Sequence, residues 1–227
     1  MPNPELRRRL DSLPGWLSYE EGETLYDLAR ACTGRGVIVE IGSWKGKSTT
    51  CLGLGSRAGA GVRIFAVDRH TDGTFPEWEK HVAEAGIEDL VTPLKGSSQD
   101  VVHDFHEEIE LLFIDGAHTY DLVLEDWEGW VPKVVPGGVV AMHDTTGFPG
   151  VKRVAEEHLF KSRDFRGVRF VYPTTSLGTK APASTLDLVR NRFALGVMRT
   201  VAGALHWKRL VPHPLQQAGR RILRAIQ

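Results

Sequence analysis

Residues 37–48, Val-Ile-Val-Glu-Ile-Gly-Ser-Trp-Lys-Gly-Lys-Ser, restrict the fold more than any other stretch of the chain. Val37 to Ile41 is an almost unbroken apolar run, the pattern of a parallel strand covered on both faces. Gly42 and Gly46 then allow a tight turn and close approach of a ligand to the backbone. The helix that starts at Lys47 offers unpaired N–H groups and the positive end of its dipole. Such a corner predicts a nucleotide-type pocket at the carboxyl end of the first strand of an open α/β sheet. A Walker A loop would need four residues between Gly42 and the Gly-Lys-Ser end, and only three are present. A dinucleotide fingerprint would need a second glycine that is missing. Glu-x-Gly-x-x-x-Gly, formed by Glu40, Gly42 and Gly46, is met in full. A strand–turn–helix corner without a ligand is the plain alternative.

The 227 residues suffice for one α/β domain with an appendage. A formal net charge of -1 provides no global field to recruit nucleic acid. Two cysteines, Cys32 and Cys51, stand outside any C-x-x-C pair and make no disulfide framework, so a reducing, cytoplasmic setting is expected. Arg7-Arg8-Arg9 is not followed by an apolar core, so no signal peptide is expected. No apolar run approaches the roughly 20 residues of a spanning helix.

Three segments are expected: a helical N-terminal segment over 1–35, an α/β domain over 36–184 and a basic helical tail over 185–227. Residues 1 to about 17 are polar and punctuated by prolines. Ser18 with Glu21 makes a capping box, followed by helical spacing up to Gly34. Beyond the 37–48 corner, apolar runs at 62–67, 90–94, 109–114 and 139–142 alternate with helical patterns, and Pro136-Gly137-Gly138 reads as a turn. The run ends carry Glu40, Asp68, Asp115 and Asp144, with His118 and His143 beside the last two. Ligands bind outside the carboxyl ends of strands in an open parallel sheet. Asp68, at the second strand tip, suits ribose hydroxyls. Ser98 and Gln99, at the third, suit the edge of a base, with helix capping the plain alternative for Ser98.

At this point the chain resembles the class I S-adenosylmethionine-dependent methyltransferases of the family-24 type and, more distantly, catechol O-methyltransferase. Four pieces carry the resemblance over about residues 36–150. They are Val39 to Ser43 with Gly46-Lys47-Ser48; Gly96-Ser97-Ser98-Gln99-Asp100; Phe113 to His118; and Pro136-Gly137-Gly138 with His143-Asp144. It implies a Rossmann-like, doubly wound α/β fold, a mostly parallel seven-stranded sheet with an antiparallel late strand, and a helical C-terminal tail. It implies that Glu40, Gly42, Ser43, Gly46 and Ser48 surround the amino-acid end of S-adenosylmethionine, that Asp68 holds the ribose and that Ser98 and Gln99 meet the adenine, with Asp115 also on the cofactor side. It implies Asp115, His143 and Asp144 as ligands of Mg²⁺ or Mn²⁺, and His118 as the base, with Asp115 and His143 beside it in the catalytic set. His143 stands where the resemblance calls for an aspartate, a nitrogen in place of an oxygen. The expected reaction is O-methylation of a small-molecule hydroxyl, on a sugar or a phenolic natural product, metal-assisted where the site holds a cation.

Two other classes stay open. One is a P-loop hydrolase or kinase using Lys47-Ser48, with Leu111 to Asp115 as a Walker B-like strand. The other is a non-catalytic binding protein on the same fold. In the tail, Leu186, Val189, Phe193, Val197 and Val201 recur at helical spacing among eight basic residues and one acid, Asp187. Such a helix packs on the domain or a second subunit, or rests as a basic amphipathic helix on an anionic membrane with Trp207 at the interface. Pro212 and Pro214 would end it.

Overall fold

The computed structural model describes residues 4–210, with side chains through His206. Its seven strands are β1 (Val37–Ile41), β2 (Ile64–Asp68), β3 (Val91–Lys95), β4 (Ile109–Ile114), β5 (Val134–Met142), β6 (Phe165–Val171) and β7 (Thr175–Lys180). They lie in the order β3-β2-β1-β4-β5-β7-β6. The first five pair in parallel, and β7 runs antiparallel to both β5 and β6. The chain leaves β1 toward β2 and returns on its other side as β4, so the switch point of the sheet lies between β1 and β4.

The helices are α1 (Pro4–Ser12), α2 (Tyr19–Ala31), α3 (Lys47–Ala58), α4 (Phe75–Ala85), α5 (Ser98–Asp104), α6 (Tyr120–Trp130), α7 (Pro149–Val154) and α8 (Thr185–Leu210), with a π-helical turn, Ala155–Phe160, continuing α7. Alternation along each strand divides the core between the two sheet faces. Val37, Val39, Ile41, Leu112 and Ile114 join Val123, Trp127, Trp130 and Met198 on one face. Ile38, Ile64, Leu111 and Phe113 join Leu6, Leu10, Leu25, Leu52 and Trp78 on the other.

Three elements differ from the sequence-based expectation. Residues 4–12 form a helix, because Leu6 and Leu10, one turn apart, are both buried. The expected turn at Pro136-Gly137-Gly138 is a bulge inside β5. Ile109 and Leu111, two residues apart, pair with Val134 and Val139, five apart, and Gly137 takes up the slack at φ 82°. In α8 the face packed on the domain is Asn191, Leu195, Met198 and Ala202. Of the five apolar positions expected to recur, only Val201 is buried, and the other four face outward. The side chains of Trp207, Lys208 and Arg209, and Pro212, Pro214, Arg220, Arg221 and Arg224, lie outside the described residues. Among the described residues no helix is long and apolar enough to cross a membrane.

Candidate active site

The parallel register brings the carboxyl ends of the strands level. Ile41 pairs with Val67 and Ile114, and Ile114 with Met142. Gly42, Asp68, Asp115 and His143 therefore emerge along one rim. Gly42 is obligatory there, because it sits at φ 87° and a Cβ on it would fall 2.3 Å from the Asp115 carbonyl oxygen. Behind this rim opens a cavity of about 1150 Å³, lined by Gly42, Ser43, Ser48, Asp68, Ser98, Gln99, Asp115, His118, His143 and Asp144. Gly15, Trp16 and Leu17, from the segment between α1 and α2, also line it, as do Thr174 and, from α8, Ala202, Leu205 and His206. Trp44 and Asp144 line it with φ of 42° and 60°, and His70, two residues past Asp68, has φ 49°. These are the non-glycine residues with positive φ among those described, and strain of this kind gathers at functional sites.

The site residues read from sequence fall into two groups. Gly42, Ser43, Ser48, Asp68, Ser98, Gln99, Asp115, His118, His143 and Asp144 line the cavity, whereas Glu40 and Gly46 lie behind its wall. Glu40 is fully buried and accepts from Thr49 Oγ1 at 2.5 Å, while its other oxygen has no partner. Burial pushes its carboxyl up to about 8, against the hydrogen bond of Thr49 and the nearby Ser48 hydroxyl. Gly46 turns at φ 85° against the Trp78 ring. The Asp68 carboxylate accepts from the backbone N–H of Trp44 at 2.8 Å and of His70 at 2.7 Å, which orients it at the cavity edge. The cap of α5 is Ser97 rather than Ser98. The Ser98 hydroxyl and, at 2.8 Å, the Gln99 amide both donate to one oxygen of Asp126 on α6. With its nitrogen held there, Gln99 has its amide oxygen left to accept.

His143 is the largest departure from the expected metal set. Its Nδ1 lies 3.0 Å from Asp115 Oδ1, and its Nε2 faces Glu21 Oε1 at 3.6 Å, an ion-pair separation longer than a hydrogen bond. Burial opposes its charge, but the Asp115 and Glu21 carboxylates outweigh burial and hold the imidazolium up to about 11. Both ring nitrogens thus face carboxylates, and a protonated imidazole has no lone pair for a metal. Glu21, read in sequence only as half of a capping box, is fully buried and accepts from Thr174 N, Thr174 Oγ1 and Thr175 Oγ1. Burial alone would raise its carboxyl. The nearby His143 imidazolium, with the donors from Ser18 and Thr174, brings it down to about 2.

The three groups whose donor atoms all lie within 4.8 Å of one another are Asp115, His118 and Asp144. Two carboxylates and an imidazole facing a cavity suit a divalent cation, with His118 in the place expected for His143. His118 Nε2 lies 3.1 Å from Asp144 Oδ2, and its ring stacks on Phe148 at 4.0 Å. The hydrogen bond to Asp144 raises the His118 pKa above its ordinary 6.5, with burial opposing. Lys47, which a P-loop would need on phosphate, points its ammonium to the Gly15 carbonyl at 3.3 Å. Asp126, Phe148 and Trp16 went unnoticed in the sequence because no local motif marks them, and the capping box that marks Glu21 says nothing of its place beside His143.

Residues 39–145 match the family described as "Methyltransferase domain" (Methyltransf_24). The uncharacterized protein y4gI of Sinorhizobium fredii (strain NBRC 101917 / NGR234) is 33% identical over 118 residues, 48% of this chain and 13% of that protein. The chain therefore spans about an eighth of the length of this curated relative. Among solved structures, the O-methyltransferase TomG of Streptomyces achromogenes, in complex with SAM, superposes with a TM-score of 0.59 at 21% identity, over 78% of this chain and 86% of that one. An O-methyltransferase of Bacillus cereus, in complex with SAH, gives a TM-score of 0.60 at 18% identity, over 78% and 91%. Both share the fold of this chain. Residues 39–145 thus match the methyltransferase-domain family, and the chain shares the fold of these O-methyltransferases.

Proposed function

We propose that the protein is an S-adenosylmethionine-dependent O-methyltransferase acting on a hydroxyl of a small molecule, such as a sugar or a phenol. One observation carries this reading: a single cavity joins the cofactor-side residues Gly42, Ser48, Asp68 and Gln99 to the His118–Asp144 pair. The methyl group of a sulfonium is already activated, so the protein's task is to align an oxygen nucleophile with it. A neutral hydroxyl is a weak nucleophile. His118, held by Asp144 and stacked on Phe148, is the group in reach to accept its proton. Asp68 would take the ribose hydroxyls and the Gln99 amide oxygen the adenine amino group. His143 stays a fixed cation between Glu21 and Asp115, balancing the cofactor-side carboxylate and leaving the acid–base step to His118.

Asp115, His118 and Asp144 would hold a divalent cation. Such an ion would lower the pKa of a bound hydroxyl. His118 cannot ligate an ion and accept a proton through the same nitrogen, so the metal and base roles compete at this residue.

Calorimetric titration with S-adenosylmethionine and separately with ATP, each with and without Mg²⁺, tests the cofactor. Binding of S-adenosylmethionine alone is expected, and Mg²⁺-dependent binding of ATP alone would replace this function with a nucleotide hydrolase. Once a hydroxyl acceptor is found, His118→Ala is expected to lower kcat by about 10²–10⁴-fold while leaving cofactor affinity unchanged. Full turnover by that variant would remove His118 from the mechanism.

A further inference from the structure

The last described helix, α8, carries two apolar faces, and among the described residues only one of them is packed against the domain. Asn191 fixes its orientation: Asn191 Oδ1 accepts from Val168 N at 3.1 Å, and Asn191 Nδ2 donates to the Phe165 carbonyl at 2.9 Å. Leu195, Met198 and Ala202 complete the packed face, and the Arg199 guanidinium pairs with Glu156. So pinned, the helix turns Leu186, Val189, Phe193 and Val197 outward, at 57, 62, 75 and 42% exposure. These positions advance by three or four residues and form one line about 16 Å long. Arg190 and Arg192 stand exposed beside it.

We propose that this face docks on an anionic membrane surface. Residues 185–227 hold eight Lys and Arg against the single acid Asp187, while residues 1–184 hold 20 against 28 acids. The sequence segment with an excess of positive charge thus begins with the helix that carries the outward apolar line. That combination is the signature of a helix lying in a bilayer interface. A second copy is a poorer occupant. In a twofold contact the same patch meets itself, so Arg190 and Arg192 would meet Arg190 and Arg192. The one acid of the segment, Asp187, already accepts from Ser184 N and Ser184 Oγ. A nucleic acid would engage the guanidinium groups but leave Leu186 and Phe193 in water.

The test is co-sedimentation of the full chain with phosphatidylcholine vesicles, with and without phosphatidylglycerol, for the wild type, Val189→Ser/Phe193→Ser and Arg190→Gln/Arg192→Gln. All four positions are exposed, so the folded state is kept, which circular dichroism verifies. The wild type is expected to pellet with anionic vesicles, and each double variant to lose about tenfold or more in partitioning. A wild type that stays in the supernatant with anionic vesicles overturns the proposal, as does equal pelleting of all three forms. Light scattering that gives a dimer abolished by Val189→Ser/Phe193→Ser, without vesicle binding, would assign the face to a second copy instead. Binding to duplex DNA without vesicle binding would assign it to nucleic acid.

Discussion

Glu21, Glu40 and Asp126 are all buried, yet their acidities diverge because their partners differ. Glu21 faces the His143 imidazolium and is drawn down to about 2. Glu40 and Asp126 accept hydrogen bonds from neutral donors, with Arg69 acting on Asp126 only at a distance, and burial pushes them up to about 8 and about 6. A cation within ion-pair reach more than offsets desolvation, whereas neutral donors offset it in part. Asp126 has a measurable consequence. Its folded pKa lies above its ordinary 3.8, so its contribution to stability is fully present below about pH 3.8, where it is protonated in both states. That contribution is lost as pH rises through about 6. Asp126→Asn keeps an acceptor for Ser98 and Gln99 but carries no charge. Relative to the wild type, the variant is expected to gain on the order of 2 kcal/mol between about pH 4 and pH 7.5. Urea unfolding of both proteins at the two pH values measures it, and an unchanged difference would mean that the Asp126 carboxylate is compensated by a cation after all.

Elements were legible in the sequence where one periodicity dominates. Runs such as Val37 to Ile41 and Ile109 to Ile114 are apolar on both faces and end in glycine or acid, so both the strand and its functional end could be read from the residues. A short helix such as α1 has only Leu6 and Leu10 to announce it, among three arginines, and its burial depends on packing against α2, where Leu10 lies close over Gly22. In α8 the difficulty is the opposite. Two apolar lines share one helix, and the choice between them falls to Asn191, a polar residue whose partners on β6 no periodicity reveals. Glu21 combines both cases. Its capping box with Ser18 is local and readable, but its bonds to Thr174 and Thr175 join α2 to the start of β7 across more than 150 residues. The cofactor half of the site lies along a strand–turn–helix corner and is therefore local. The half around His143 is assembled by tertiary contact: its ring faces Asp115 and Glu21, and the donor atoms that cluster are those of Asp115, His118 and Asp144.

At the scale of the molecule, the cavity is closed by both ends of the described chain. Gly15, Trp16 and Leu17 lie before the family-matched segment 39–145, and Ala202, Leu205 and His206 lie after it. The matched segment supplies the floor, with Gly42, Asp68, Asp115 and Asp144. A ligand that fills the cavity therefore touches the N-terminal segment, both halves of the sheet and α8 together, and its binding energy acts on the folded state as a whole. At about one hundred times its Kd, a ligand of the native state adds about 2.7 kcal/mol. For a chain of this length each kcal/mol raises Tm by about 2–4 °C. S-adenosylmethionine is thus expected to raise Tm by about 5–10 °C in a thermal unfolding scan, ATP with Mg²⁺ is expected to leave it in place, and Asp68→Ala is expected to shrink the S-adenosylmethionine shift. A shift unchanged by Asp68→Ala would move the bound nucleoside away from the tip of β2, and a shift with ATP alone would move the chemistry of the cavity from methyl transfer to phosphate.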